Sequence, residues 1–80
     1  TAATRLLSVR HLNKPGVLAH IVGEIGKARI NIQEVENVIY HGAEAACARI
    51  QLDAEPSRET MEAINSSSHH ILSVDLTVID

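Results

Sequence analysis

Apolar and polar residues alternate along four segments of the chain and recur at helical spacing in two others. Alternation places successive side chains on opposite faces of a strand, so the four segments are predicted strands. They span residues 5–11, 31–40, 44–53 and 71–79. The helical segments run from Gly16 to Ala28 and from about Pro56 to Ser66, and Ser57 is the predicted N-cap of the second. The predicted order is therefore strand, helix, strand, strand, helix, strand.

The same pattern predicts which side chains face the core. In the first helix the apolar residues recur every three or four positions, and in the third and fourth strands they occupy every second position. The predicted core residues are Leu18, Ile21, Val22, Ile25 and Ala28 in the helix, Ala46, Ala48, Ile50 and Leu52 in the third strand, and Leu72, Val74, Leu76 and Val78 in the fourth.

This element order predicts an α+β fold, the ferredoxin-like βαββαβ sandwich. Right-handed crossovers place both helices on one face of a four-stranded antiparallel sheet, with strands two and four at its edges. Strand two carries apolar and charged residues on both faces, which is typical of an edge that meets another chain. On one side the pattern places Ile32, Val38 and Tyr40 with Glu34 and Glu36, and on the other side Val35 and Ile39.

Size and composition narrow the class of protein. A single domain of 80 residues has a marginal core, which favours association. We expect a homodimer through the strand-two edge and helix one, where Gly23 and Gly26 allow close packing. The net charge of −3, without a basic stripe and with Tyr40 as the one aromatic residue, argues against a nucleic-acid partner. No apolar run approaches the roughly 20 residues of a membrane span, so no membrane partner is expected.

Cysteine usage and the first residue suggest where this chain comes from. Cys47 is alone, so it forms no internal disulfide, and a reducing, cytoplasmic compartment is expected. The chain begins at Thr1 instead of Met, which suggests a piece of a longer protein.

His41-Gly42 is a predicted turn between strands two and three.

Catalytic and metal-binding arrangements are weak in this sequence. His69 and His70 are predicted neighbours on a strand, whose side chains point to opposite faces, so no metal site is expected. No acid, base or nucleophile set stands out, so no catalytic residue is predicted. An acylphosphatase-like enzyme with this topology needs an Arg in the loop before helix one, where this chain has Asn13-Lys14-Pro15-Gly16.

The most informative segment is His11-Leu12-Asn13-Lys14-Pro15-Gly16-Val17-Leu18. Here the chain leaves a strand and enters a helix, and the unpaired N–H groups of a helix start suit a carboxylate. Gly16 allows a ligand to approach the backbone, and Asn13 and His11 each offer a donor and an acceptor. The segment fits a zwitterionic amino acid with a polar side chain. The alternative is that Asn13 is simply the N-cap of the helix.

Asn31 is the second polar residue of interest, at the start of strand two. The end of helix one lies far from its beginning, so Asn31 reaches such a loop most easily on a neighbouring chain. The alternative is that Asn31 only caps the helix-to-strand junction.

The His11–Leu18 segment, Ile25, Ile30-Asn31-Ile32 and the alternating Ala45–Leu52 strand resemble an ACT domain. More narrowly, they are similar to the C-terminal ACT domains of D-3-phosphoglycerate dehydrogenases. The resemblance implies that L-serine binds between two such domains and restrains hinge motion in a parent enzyme that uses NAD, with no cofactor in this chain. Leu12 and Lys14 depart from the usual residues of that family. The implied effector-binding residues are His11, Asn13, Lys14, Pro15, Gly16, Val17, Leu18 and, from the other chain, Asn31.

Two alternatives stay open within the same fold. The chain also fits an ACT domain of another protein of amino-acid metabolism, such as an L-serine dehydratase, or of a transcriptional regulator. It equally fits a dimerisation module that has lost its effector, in which His11, Asn13 and Asn31 have only structural roles.

Overall fold

All six predicted elements occur in the predicted order in a computed structural model, which describes residues 4–40, 42 and 44–80. The strands are β1 (Thr4–Leu12), β2 (Ile32–Ile39), β3 (Ala45–Leu52) and β4 (Ile71–Ile79). The helices are α1 (Val17–Lys27) and α2 (Arg58–Ser66). His41, half of the predicted turn, lies outside the described residues, while Gly42 has the positive φ of 72° that favours glycine.

The four strands form one antiparallel sheet in the order β2-β3-β1-β4, so β2 and β4 are the edges, as predicted. Both helices lie on one face of this sheet, and their apolar sides close the core over the two inner strands. The fully buried apolar residues are Leu7, Val9, Val17, Ile21, Ile25, Ala46, Ala48, Ile50, Leu52 and Ile64.

Strand β2 contains a bulge that changes which of its residues share a face. Ile32 pairs with Leu52 and Glu34 pairs with Gln51, so Gln33 is the extra residue. Partners in an antiparallel pair face the same side, so Ile32 packs on the core beside the helices. The predicted grouping of Ile32 with Glu34, Glu36 and Val38 is therefore wrong. Val35, Asn37 and Ile39 face the helices, while Glu34, Glu36 and Val38 face the open side of the sheet.

Strand β4 has a bulge next to its start. The partner of His11 is Ile71 and the partner of Arg10 is Ser73, so Leu72 is the extra residue. Leu72 is 48% exposed, and the prediction that it faces inward is wrong. Val74 and Leu76 pack on the core as predicted. Val78, near the end of this edge strand, stays 43% exposed.

Helix α1 buries Val17, Ile21 and Ile25, which follow one another at intervals of four residues. Ile21 and Ile25 confirm the predicted stripe, whereas Val22 lies beside the stripe and is 37% exposed. The helix was predicted to begin at about Gly16, and it begins at Val17 with Gly16 as the N-cap. Val17 was not among the predicted core residues and is buried.

The end of α1 is closed by a Schellman motif. The Ile30 N–H donates to the Ile25 carbonyl at 3.4 Å, and the Arg29 N–H donates to the Gly26 carbonyl at 3.0 Å. Arg29 has a φ of 62°, the left-handed conformation that glycine usually supplies at this position. The last carbonyl groups of the helix are thereby satisfied within the chain.

Helix α2 starts as predicted, with Ser57 as N-cap. The Thr60 N–H donates to the Ser57 hydroxyl at 3.1 Å, which satisfies one of the free donors of the first turn. Ile64 is fully buried and Met61 packs on the core. No helix in the described part of the chain is long and apolar enough to cross a membrane.

Candidate functional site

Three parts of the chain meet at one end of the sheet. They are the segment Asn13–Gly16, here named the helix-start loop, the residue Glu44 just before β3, and the turn from α2 to β4. The Asn13 N–H donates to the Glu44 carbonyl at 2.7 Å, and the Leu12 N–H donates to the His70 carbonyl at 2.9 Å. The helix-start loop is therefore held on both sides by backbone hydrogen bonds.

The helix-start loop leaves the beginning of α1 open. Gly16 is the N-cap with a φ of 84°, and no side chain caps the helix. The Val17 N–H donates to the Lys14 carbonyl at 3.3 Å, but within the described residues the N–H groups of Leu18 and Ala19 have no acceptor. These N–H groups carry the positive end of the helix dipole, so a carboxylate is the ligand they suit.

Asn13 and Lys14 are exposed on this loop, next to the open helix start. Because Gly16 occupies the N-cap position, the interpretation of Asn13 as the N-cap is wrong. The side chain of Asn13 makes no hydrogen bond within the described residues, so its amide is free to meet a ligand. Pro15 precedes the N-cap and restricts the turn that leads into the helix.

His11 lies beneath the loop and is only 1% exposed. Its Nδ1 lies 2.9 Å from the Leu12 carbonyl oxygen, and its Nε2 lies 2.9 Å from Oδ1 of Asn37. Both ring nitrogens are thus engaged within the chain. The sequence prediction missed Asn37, although it is a polar residue between Val35 and Ile39 on an otherwise apolar face.

The turn before β4 brings further titratable groups to this end of the sheet. His69 and His70 lie in that turn, with ring centroids 4.1 Å apart, so the prediction of opposite faces on a strand is wrong. Partial desolvation lowers the pKa of His70, and the positive charges of His69 and then Lys14 lower it further. Among the described residues no three His, Cys, Asp or Glu side chains are grouped to hold a metal ion.

Asn31 lies at the opposite end of the sheet from the helix-start loop. Its N–H donates to Oδ1 of Asp53 at 3.0 Å, and the Asp53 N–H donates to the Asn31 carbonyl at 3.1 Å. The side chain of Asn31 is left exposed. Strand β2 spans about 25 Å at roughly 3.3 Å per residue, so one chain cannot bring Asn31 to its own loop. The segment from His11 to Leu18 is thus brought together, and Asn31 is not part of it.

Large apolar side chains are exposed along the β2 edge of the molecule. Val35 is 46% exposed and Ile39 is 56% exposed on the helix-facing side of β2. Val22 of α1 is 37% exposed and Tyr40 is 47% exposed. These four residues, named here the β2-edge patch, leave apolar surface exposed to solvent.

The βαββαβ topology, with β2 and β4 at the sheet edges and both helices on one face, is that of an ACT-type regulatory domain. The chain belongs to the ACT family, and the particular family model that matches is the AHAS small subunit-like ACT domain, over residues 7–68. That match includes the helix-start loop and Asn31. No curated protein matches the chain.

Solved structures share the fold at low sequence identity. An ACT domain protein from Streptococcus pneumoniae superposes with a TM-score of 0.73 at 15% identity, over 98% of this chain and 91% of that one. The ACT domain of a GTP pyrophosphokinase of Chlorobium tepidum gives a TM-score of 0.71 at 13% identity, over 94% of this chain and 96% of that one. A structure of aspartokinase alpha and beta subunits gives 0.69 at 20% identity, over 94% and 51%. At these identities the likeness concerns the fold.

Proposed function

We propose that this chain is an allosteric regulatory domain that binds a free amino acid between two copies of itself. The observation that carries the proposal is the uncapped start of α1, where exposed N–H groups lie beside the exposed side chains of Asn13 and Lys14. The family assignment supports a regulatory role and no catalysis in this chain.

In this proposal the α-carboxylate sits at the start of α1. The N–H groups of Leu18 and Ala19 face it, and the Lys14 ammonium adds positive charge. Pro15, Gly16 and Val17 shape the turn, and Gly16 keeps the backbone free of a side chain at the point of approach. The Asn13 amide offers an oxygen to the α-ammonium group.

The second copy completes the site. Since Asn31 lies at the far end of β2, an antiparallel arrangement of two β2 edges brings the Asn31 of each copy toward the loop of the other. The β2-edge patch supports this arrangement, because its exposed apolar residues become buried when two copies join. The proposed partner is therefore a second copy, through β2 and α1.

The resemblance to D-3-phosphoglycerate dehydrogenases makes L-serine the first effector to test and an NAD-dependent dehydrogenase the proposed parent enzyme. Polar groups of the loop would hold the serine hydroxyl. His11 belongs to this set only if it gives up one of its two hydrogen bonds, because both ring nitrogens are engaged in the present geometry.

A second candidate effector is an amino acid with an apolar side chain. The engagement of His11 favours it, since Asn13 is then the main uncharged polar side chain that the loop presents. The match to the AHAS small subunit-like model favours a parent other than a dehydrogenase. Both candidates share the same carboxylate site and differ in the side chain that is preferred.

A thermal-shift series over the amino acids separates these candidates. A ligand that binds only the folded chain raises the melting temperature by mass action. We expect L-serine to raise it more than glycine or L-valine, whereas a larger shift with L-valine selects the second candidate. A chain that no amino acid stabilises is a dimerisation module only.

Calorimetry with Asn31→Ala then tests the cross-chain contact. Loss of one hydrogen bond to a charged group predicts an affinity weaker by at least about tenfold. Asn65→Ala on α2 is the matched control, because Asn65 is exposed and lies on another element. Equal affinity of Asn31→Ala and the parent chain would exclude the proposed role of Asn31.

A further inference from the structure

His11 and Asn37 form a hydrogen bond between two strands that are not neighbours in the sheet. His11 is on β1 and Asn37 is on β2, with β3 between them. His11 lies opposite Ala46, and Asn37 lies opposite Ala48. Neighbouring strands are about 4.8 Å apart, so the two backbones are separated by roughly 10 Å. The small side chains of the two alanines leave the space in which the ring and the amide meet.

The buried ring depends on Asn37 for its second hydrogen bond. Both atoms that face the ring are oxygens, the Leu12 carbonyl on Nδ1 and the Asn37 Oδ1 on Nε2. Such a ring either carries a proton on each nitrogen or meets the Asn37 amide turned so that its NH₂ group donates to Nε2. In both states, removing Asn37 leaves a polar atom of a ring that is 1% exposed without a partner.

The same ring reaches the helix-start loop on its other side. Its Nδ1 partner is the carbonyl of Leu12, the residue that precedes the loop. The N–H of Leu12 is itself bonded to the His70 carbonyl in the turn before β4. One imidazole therefore connects β2, the outer strand that carries Val35 and Ile39 of the β2-edge patch, to the backbone at the entrance of the loop.

We propose that Asn37 is a positioning residue that, through His11, couples the β2 edge to the helix-start loop. A second chain that shifts β2 alters the loop, and a ligand that shifts the loop alters β2. The coupling itself follows from the geometry of the single chain, and only its consequence for effector binding rests on the proposed function.

Amide hydrogen exchange followed by NMR tests the coupling without any ligand. Asn37→Ala removes the partner of Nε2, while Asn37→Asp keeps an oxygen in the same place. Loss of a buried hydrogen bond predicts exchange about tenfold faster at the Leu12 and Asn13 amides in Asn37→Ala. We expect near-parent exchange in Asn37→Asp, whose carboxylate accepts from an Nε2–H of the ring, whereas the alanine variant leaves Nε2 without a partner.

Two references separate coupling from a general loss of stability. The Ile50 amide lies in a central strand and reports global opening, so a change confined to Leu12 and Asn13 supports the coupling. Asn65→Ala is the matched control on α2 and is expected to change neither the exchange at the loop amides nor the exchange at Ile50.

Asn37→Ser, with a hydroxyl too short to reach the ring, replaces the alanine variant if that variant does not fold. Unchanged loop exchange, or equal exchange in the alanine and aspartate variants, overturns the proposal.

Calorimetry with L-serine tests the consequence for the effector. We expect affinity about tenfold weaker in Asn37→Ala and close to the parent in Asn37→Asp. If L-serine does not bind the parent chain, the proposed effector fails while the exchange result still decides the coupling. If L-serine binds the parent and Asn37→Ala equally, the coupling to the effector is excluded.

Discussion

The two ends of helix α1 treat their backbone hydrogen-bonding groups in opposite ways. At its end, Arg29 and Ile30 return hydrogen bonds to the last carbonyls, and Lys27 forms an exposed ion pair with Glu24 at 3.1 Å. At its start, no side chain caps the helix and Gly16 turns the chain away from the first N–H groups. One end of the helix thus contributes to folding, while the other keeps its N–H donors available to a ligand.

Truncating one apolar side chain near each end of α1 to alanine tests the difference between the two ends. Ile25 is fully buried near the closed end, and Leu18 is only half-buried near the open start. Ile25→Ala is expected to lower the free energy of unfolding by about 2–5 kcal/mol. Leu18→Ala is expected to cost roughly half as much, since part of its surface is already in water. Urea denaturation measures both, and equal losses would contradict the difference between the ends.

A second experiment places a side chain at the open start. Gly16 has a left-handed φ of 84° with nothing within 4 Å of an added Cβ, so Gly16→Ala tests backbone strain alone. We expect it to lower the free energy of unfolding by about 1–2 kcal/mol. Gly23→Ala is the control, because Gly23 lies within the helix with equally open space, and it is expected to stabilise by about 1 kcal/mol.

Denaturation at low protein concentration keeps association out of that measurement. The Gly16→Ala variant then tests the ligand site by calorimetry, where it is expected to weaken amino-acid binding. Equal stability changes in the two variants would show that the loop relaxes to a conformation that alanine accepts.

A third variant is expected to stabilise the Schellman motif at the end of α1. Arg29 holds a conformation that costs an L-residue about 1–2 kcal/mol. Glycine avoids that cost but loses more conformational entropy when the chain folds. We therefore expect Arg29→Gly to raise the free energy of unfolding by about 0.5–1 kcal/mol, measured by denaturation. Arg58→Gly on α2 is the control and is expected to destabilise. A loss of stability in Arg29→Gly would mean that the Arg29 side chain has a stabilising contact.

The smallest expected effect is a loss of stability at acidic pH. The pKa of His70 in the folded chain lies below its ordinary value of 6.5, so the unfolded chain binds more protons just below that pH. Stability is therefore expected to fall as the pH falls below 6.5, and His70→Gln should flatten this slope. His69→Gln, which removes one of the neighbouring charges, should flatten it in part. A slope unchanged by His70→Gln would assign the acid sensitivity to other groups.

Much of this fold was predictable because periodicity is a local property of the chain. The alternation in β1 and β3 and the Ser57 cap of α2 were all visible in the sequence and are confirmed. The faces of the edge strands were predictable only in part, since one extra residue reverses the faces on one side of it relative to the other. Gln33 and Leu72 carry no feature that marks them as bulges, and so Ile32 and Leu72 were placed on the wrong faces.

The candidate site was predictable in part for the same reason. The turn and its glycine are local features, and the structure gives Gly16 its positive φ. The hydrogen bond from His11 to Asn37 joins residues 26 positions apart across an intervening strand, and no local pattern reports it. The sequence likewise placed His69 and His70 on a strand, because the turn before β4 has no Gly or Pro to mark it. Whether His11, the loop and Asn31 bind an amino acid stays a prediction.

The placement of the two bulges has a consequence for self-association. The inner pair, β1 with β3, runs without interruption, while each outer pair is interrupted by one extra residue. A bulge twists an exposed edge and shortens the stretch on which a foreign strand can be templated. Beyond Gln33, β2 keeps a regular run only from Glu34 to Ile39, which limits the length over which an added strand can pair. Growth of this sheet into a fibril is thereby opposed at both margins.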